Sequence, residues 1–160
     1  MFIIIMGVSG CGKSTIGAML AERLGWPFYD GDDFHPAANI AKMAAGVPLN
    51  DTDRADWLTA LGDMIDKRNT AGADGVLACS ALKESYRGML RRGSVQFVYL
   101  KGNYETILRR MEMRGPHFMK PDMLQSQFAA LEEPAEAVTL DVDQSPTEIV
   151  QKIMGAIKQD

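Results

Sequence analysis

Cysteine and histidine are almost absent from this chain, with two of each in 160 residues. Cys11 and Cys79 alone make no disulfide framework, so a reduced, cytoplasmic protein is the default expectation. Two histidines without paired-cysteine spacing indicate no structural zinc site. Positive charge is in deficit: 17 Lys and Arg face 21 Asp and Glu, giving a net charge of −4 and a pI near 5.2. That balance argues against broad binding to nucleic acid or an anionic membrane, both of which need basic surface. An anionic small molecule would require cations gathered locally. No run of ~18 apolar residues is present to span a bilayer. The opening apolar stretch is short and lacks a basic leader, so no signal peptide is predicted. There is no internal repeat, low-complexity tract or linker. What remains is a soluble globular balance, 46% apolar and 24% charged. Residues 1–160 suffice for a single domain with a real core and are too few for two ordinary ones.

The stretch that organises the chain is Gly7-Val8-Ser9-Gly10-Cys11-Gly12-Lys13-Ser14-Thr15, which fits G-x-x-x-x-G-K-[ST], the phosphate-binding P-loop. Its glycines allow a tight turn that aims successive N–H groups into one concavity. A helix opening near Lys13 adds unpaired N–H groups and the positive end of its dipole. Lys13 can reach the β- and γ-phosphates, and the Ser14 hydroxyl can ligate Mg²⁺. The flanks agree: Phe2-Ile3-Ile4-Ile5-Met6 reads as a buried strand, while Ile16, Leu20 and Leu24 recur at helical spacing before Gly25.

Further along, Trp26-Pro27-Phe28-Tyr29 reads as a second strand running into Asp30-Gly31-Asp32-Asp33-Phe34-His35-Pro36. Acids in a turn are ordinarily just solvated, but at the carboxyl end of an α/β strand they stand where ligands bind. A weak helix from Pro36 to about Ala45 and a clear amphipathic one through Trp57, Leu61, Met64 and Ile65 follow, with helix-start chemistry at 48–54. Two helices between successive strands predict a helical substrate-binding insertion over about 36–70. Gly75–Cys79 is the third predicted strand, Val95–Leu100 the fourth and Ala137–Leu140 the fifth. Lys83 and Arg87 lie i,i+4 on a helix running to about Arg92, either as a solvated basic face or as ligand-facing cations. Arg110 and Arg114 repeat that spacing before Gly115-Pro116, where the helix must break. They read as a solvated helix end or as removable charge clamps on a lid over about 110–131. His117 reads as an ordinary surface histidine, and Ile149, Ile153 and Ile157 define a closing helix. Strand and helix alternate throughout, which predicts an α/β fold with one doubly wound, mostly parallel five-stranded sheet.

Over nearly its full length the chain resembles the gluconate kinases, P-loop small-molecule kinases related to shikimate kinase and the nucleoside monophosphate kinases. The resemblance rests on Met6-Gly7-Val8-Ser9-Gly10, Gly31-Asp32-Asp33-Phe34-His35-Pro36 and Pro48-Leu49-Asn50-Asp51-Thr52-Asp53-Arg54. It continues in Ala78-Cys79-Ser80-Ala81-Leu82-Lys83 with Tyr86-Arg87, His117-Phe118-Met119, Ser126-Gln127-Phe128 and Asp143-Gln144-Ser145-Pro146. It implies the P-loop kinase fold with strand order 2-3-1-4-5, and transfer of the ATP γ-phosphoryl group to the 6-hydroxyl of D-gluconate. The product, 6-phospho-D-gluconate, would feed the pentose phosphate or Entner-Doudoroff route. Gly7, Ser9, Gly10, Cys11, Gly12, Lys13, Ser14 and Thr15 would hold the triphosphate, with Ser14 and Asp30 near Mg²⁺. Asp32 would orient the acceptor hydroxyl and take its proton. His35, Arg54, Lys83 and Arg87 would face the substrate, and Arg110 and Arg114 would neutralise the transferring phosphoryl group. Gln144, Ser145 and Pro146 would form the adenine-side loop, and a homodimer is implied. Cys11 stands where these kinases often carry serine.

Two rivals remain at this stage. Another small-molecule kinase of the same fold would differ only in its acceptor. A nucleotide switch would need N-K-x-D and D-x-x-G signatures, and the sequence has neither.

Overall fold

The computed structural model describes residues 1–115 and 121–157. Five strands, β1 (Phe2–Met6), β2 (Phe28–Asp30), β3 (Gly75–Ala78), β4 (Val95–Lys101) and β5 (Val138–Asp141), form one sheet in the order β2-β3-β1-β4-β5. All four pairings are parallel, so both the expected fold class and the expected order are found. The described residues also form the helices α1 (Lys13–Leu24), α2 (Ala37–Ala44), α3 (Asp51–Thr70), α4 (Glu84–Leu90), α5 (Tyr104–Met113), α6 (Pro121–Ala130) and α7 (Pro146–Ile157). None of these is long and apolar enough to cross a membrane.

A central parallel strand must be apolar on both faces, and β1 is fully buried along its length. The strand period of two divides it. Ile3 and Ile5 join Ile16, Leu20, Ile107, Ile149 and Ile153 on one side of the sheet. Phe2, Ile4 and Met6 join Trp57, Leu61, Ile65 and Leu90 on the other. At about 1.5–3 kcal/mol for each buried aliphatic side chain, these two layers fix β1 firmly beneath the loop that follows it. Because β1 sits between β3 and β4, the strand order reverses there, and the loops at the carboxyl ends open a crevice.

Element boundaries differ from expectation for local reasons. Trp26 is not in β2, because its N–H closes the end of α1 on the Ala21 carbonyl at 2.9 Å. Helix α3 begins at Asp51, where Asn50 and Asp53 cap one another: Asp53 N–H donates to Asn50 Oδ1 at 2.8 Å, and Asn50 N–H donates to Asp53 Oδ2 at 3.1 Å. After β2 comes a short 3-10 turn, Gly31–Phe34, capped by the Asp30 carboxylate. Helix α4 stops at Leu90, two residues short of the expected end.

Candidate active site

The P-loop leaves β1 through Gly7, whose φ of +145° is one that L side chains rarely adopt. A Cβ there would also lie 2.9 Å from the Leu100 carbonyl oxygen, so only glycine fits. Gly12, at φ +100°, is the N-cap of α1 and supplies no capping side chain. The first-turn N–H groups of α1 therefore face the loop's concavity rather than a cap, the arrangement that suits an anion.

Side chains complete this end. Lys13 Nζ donates to the Val8 carbonyl at 3.0 Å, which folds the lysine across its own loop. Ser14 Oγ donates to Asp30 Oδ2 at 3.0 Å, and the other oxygen of Asp30 accepts from Asp32 N–H at 3.0 Å. One carboxylate thus links the loop after β1 to the turn after β2. From α6, Gln127 grips Ser9 twice: Ser9 N–H donates to Gln127 Oε1 at 2.7 Å, and Gln127 Nε2 donates to Ser9 Oγ at 3.0 Å.

The same cavity, about 220 Å³, runs from Ser9, Gly10, Lys13 and Ser14 to Asp32, His35, Arg54 and Trp57. Its far wall is built by packing. Trp57 Nε1 donates to the Gly31 carbonyl at 2.7 Å, and the His35 ring stacks on the indole at 4.1 Å between centroids. Arg54 Nη1 donates to the Leu49 carbonyl at 2.6 Å and to Tyr86 Oη at 3.3 Å. Shielding by the cleft walls, with Asp30 adding repulsion, pushes the Asp32 carboxyl above its ordinary value against the pull of Lys13 and His35. Shielding also lowers the His35 imidazole below its ordinary value; Asp32 opposes that shift and Arg54 reinforces it.

A second cavity of about 400 Å³ adjoins the first and is lined by Arg110, Met113, Val142, Gln144, Pro146 and Ile149. Gly12, Thr15 and Arg114 line both cavities, so the P-loop and the end of α5 form the divide between them. Cys11 borders the second cavity but is only 2% exposed, packed into the core beside Gly7. Cys79 is buried too, and loss of solvation pushes its thiol up to about 12.

Four expected site residues are placed elsewhere. Arg87 is 1% exposed, and its guanidinium is saturated by the carbonyls of Ala81, Leu82 and Glu132 and by Glu84. It ties α4 to the segment after α6 and does not face the cleft. Lys83 is the N-cap of α4 rather than a residue on its face, and its Nζ pairs with Asp51 at 3.0 Å outside both cavities. Arg110 donates to the Val142 carbonyl at 2.6 Å and lines the second cavity, whereas Arg114 reaches the first. Ser145 accepts from Glu148 N–H at 3.2 Å as a helix cap, leaving Gln144 and Pro146 on the cavity wall. His117 lies outside the described residues.

Sequence reading also missed site residues. Trp57 passed as a core marker on an amphipathic helix; the signal was an indole N–H that needs a buried acceptor. Gln127 belonged to a recognised motif but carried no role, because its contact with Ser9 spans 118 residues.

The chain is similar to known proteins over nearly its full length. A family model described as shikimate kinase matches residues 9–158. A mouse protein described as a probable gluconokinase is 44% identical, covering 98% of this chain and 97% of that protein. The thermosensitive gluconokinase of Escherichia coli K12 is 44% identical, covering 96% of this chain and 86% of its own. The crystal structure of a gluconokinase from Sinorhizobium meliloti 1021 superposes with a TM-score of 0.90 at 42% identity, covering 98% of this chain and 91% of that one. With a P-loop, a strand-end carboxylate and clustered arginines around one crevice, the chain belongs to the gluconokinase family of shikimate kinase-like P-loop kinases.

Proposed function

We propose that this enzyme transfers the γ-phosphoryl group of ATP to the 6-hydroxyl of D-gluconate, giving 6-phospho-D-gluconate and ADP. The observation that carries the reading is the sharing of one cavity by the P-loop lysine Lys13, the carboxylate Asp32 and the arginines Arg54 and Arg114. The second cavity has the apolar walls a nucleoside needs, and the triphosphate would cross the divide at Gly12 and Thr15. Arg110 then serves the nucleoside end, and Arg114 stands at the reacting phosphoryl group.

Each residue has a physical task. Phosphoryl transfer demands alignment and charge neutralisation more than covalent chemistry, and Lys13 and Arg114 supply the charge. Asp32 holds the acceptor hydroxyl and takes its proton. Arg54 offers a planar fork to the substrate carboxylate. Ser14 Oγ and Asp30 Oδ2 are hard oxygen donors 3.0 Å apart, which fits Mg²⁺ held by one or two protein ligands together with phosphates and water. When bound there, Mg²⁺ would offset the charge on the phosphate oxygens.

Residues 36–70 would serve as the acceptor-binding insertion of a single domain, and 110–131 as a lid that shuts out water. A homodimer in the cytoplasm completes the proposal, and light scattering tests the former. The deciding assay measures ADP release with ATP alone and with D-gluconate, shikimate or a nucleoside monophosphate added. D-gluconate alone should stimulate turnover. Stimulation by shikimate or a nucleotide instead would assign the cleft to another acceptor, and acceptor-independent hydrolysis would make it a nucleotide switch.

A further inference from the structure

Among the described residues only two polar or charged ones are buried, Arg87 and Asn39. Arg87 has a structural explanation; Asn39, 3% exposed on α2, does not by itself. A buried amide is costly unless its hydrogen bonds are made, so its partners are informative. Asn39 Nδ2 lies 2.7 Å from the Asp53 carbonyl oxygen and 3.3 Å from His35 Nδ1.

The chemistry of those partners fixes a proton. A backbone carbonyl only accepts, so the amide atom facing it must be the NH₂ group, whichever way an unassigned amide is drawn. That nitrogen only donates, and its second hydrogen points to His35 Nδ1. Nδ1 must therefore be the bare nitrogen, and the ring proton sits on Nε2. The imidazole cannot tumble out of this arrangement, because its side chain is 3% exposed and stacked on Trp57 with 17° between planes. His35 is among the residues lining the cavity, and its Nε2 lies on the Asp32 side of the ring, 3.8 Å from Asp32 Oδ1, too far for a hydrogen bond.

We propose that Asn39 is a positioning residue that locks His35 as a neutral Nε2–H donor aimed at an acceptor-substrate oxygen beside Asp32. Neutrality matters as much as direction. A charged imidazolium would pair with Asp32 and weaken it as a base, whereas a neutral donor orients the substrate and leaves the carboxylate free. The substrate group at this point must be a hydrogen-bond acceptor, a hydroxyl oxygen of a polyol or sugar acid. This substrate role rests on the kinase reading given above; the tautomer does not.

Nitrogen NMR of the ring tests the tautomer without any substrate, and the chain has only one other histidine to resolve. Wild type at neutral pH should show His35 bare at Nδ1 and protonated at Nε2. Asn39→Asp keeps the shape but replaces the donor with an acceptor, and should move the proton to Nδ1. Its acceptor-dependent kcat should fall on the order of tenfold or more, with the KM for ATP within about twofold of wild type. A Gln amide can reach the place of Nε2 and an Asn amide cannot, so His35→Gln should retain more turnover than His35→Asn. Protonation at Nδ1, or a charged ring, in wild type overturns the proposal even if Asn39→Asp does not fold. So does a switched tautomer with normal turnover, or equal loss in the two His35 variants. If no acceptor is phosphorylated while the wild-type tautomer is as stated, the kinase reading fails together with the substrate role, and the lock alone stands.

Discussion

The two ends of the crevice are built on different principles. The phosphate end is mostly backbone: a contiguous loop with positive-φ glycines and the open N-terminus of α1, set on a strand buried on both faces. The acceptor end is all side chains, brought together from the turn after β2, from α2 and from α3. His35 stacks on Trp57, and Asn39, Arg54 and Trp57 are each fixed by a hydrogen bond to a backbone carbonyl, of Asp53, Leu49 and Gly31 in turn, with Asp32 beside them. A backbone cradle recognises a chemistry shared by every nucleoside triphosphate. A side-chain wall can change with few substitutions and so sets which acceptor is used. The shikimate kinase family model spans both ends, yet family relatives differ in acceptor, as this division anticipates.

The contrast can be broken from the phosphate end first. Lys13→Met removes the cation that crosses the loop and should lower turnover by about 10³-fold, comparable to removing a preorganised charge donor. Loss of gluconate affinity with turnover unchanged in steady-state kinetics would contradict the assignment. Arg114→Ala, at the divide between the cavities, should lower kcat by roughly 10²-fold with a smaller effect on ATP binding. Arg114→Lys should restore only part, since an ammonium lacks the planar fork. An ATP-binding defect alone would move this arginine to the nucleotide ground state.

Arg87 sharpens the comparison from outside the cleft. Arg87→Met strands three carbonyls in a buried site and should cost about 3 kcal/mol in denaturant unfolding. Turnover per folded molecule should stay within about threefold of wild type; a specific rise in the acceptor KM would return Arg87 to the substrate-facing set.

A smaller effect concerns pH. The His35 imidazole is held below 6.5 in the folded protein, so between that lowered value and 6.5 the unfolded chain binds more protons. Stability should therefore rise with pH across this window and be lost on acidification through it. His35→Asn should flatten that part of the profile; an unchanged slope would mean another group is titrating. Smallest of all, bulky thiol reagents should leave the native enzyme active, since Cys11 and Cys79 are both buried. Rapid inactivation of wild type but not Cys11→Ser would show that the loop opens.

How much of this was legible beforehand follows the same division. The P-loop could be read directly, because phosphate binding by backbone is a contiguous pattern of glycines with a strand before and a helix after. Asp32 was legible as an acid at a strand's carboxyl end, although its exact partners were not. The i,i+4 spacing of Lys83 and Arg87 misled, since Lys83 precedes α4 and takes an extended conformation. Spacing says which residues share a helix face but not what that face meets; Arg87 meets residue 132, far along the chain. Arg110 and Arg114 show the same limit: one turn apart, both line the second cavity but only Arg114 also reaches the first. Asn39 left little signal, because the carbonyl that fixes its amide belongs to Asp53 on α3.

The division itself is tested most directly on one pair of proteins, wild type and Asp32→Asn. Calorimetric titration with MgATP and gluconate-dependent ADP release are measured on both. The variant keeps the size of the side chain and removes its charge and basicity, at the acceptor end only. MgATP affinity within about twofold of wild type, with turnover lower by about 10²-fold or more, is the predicted result. Near-normal turnover, or a parallel loss of ATP affinity, would contradict it.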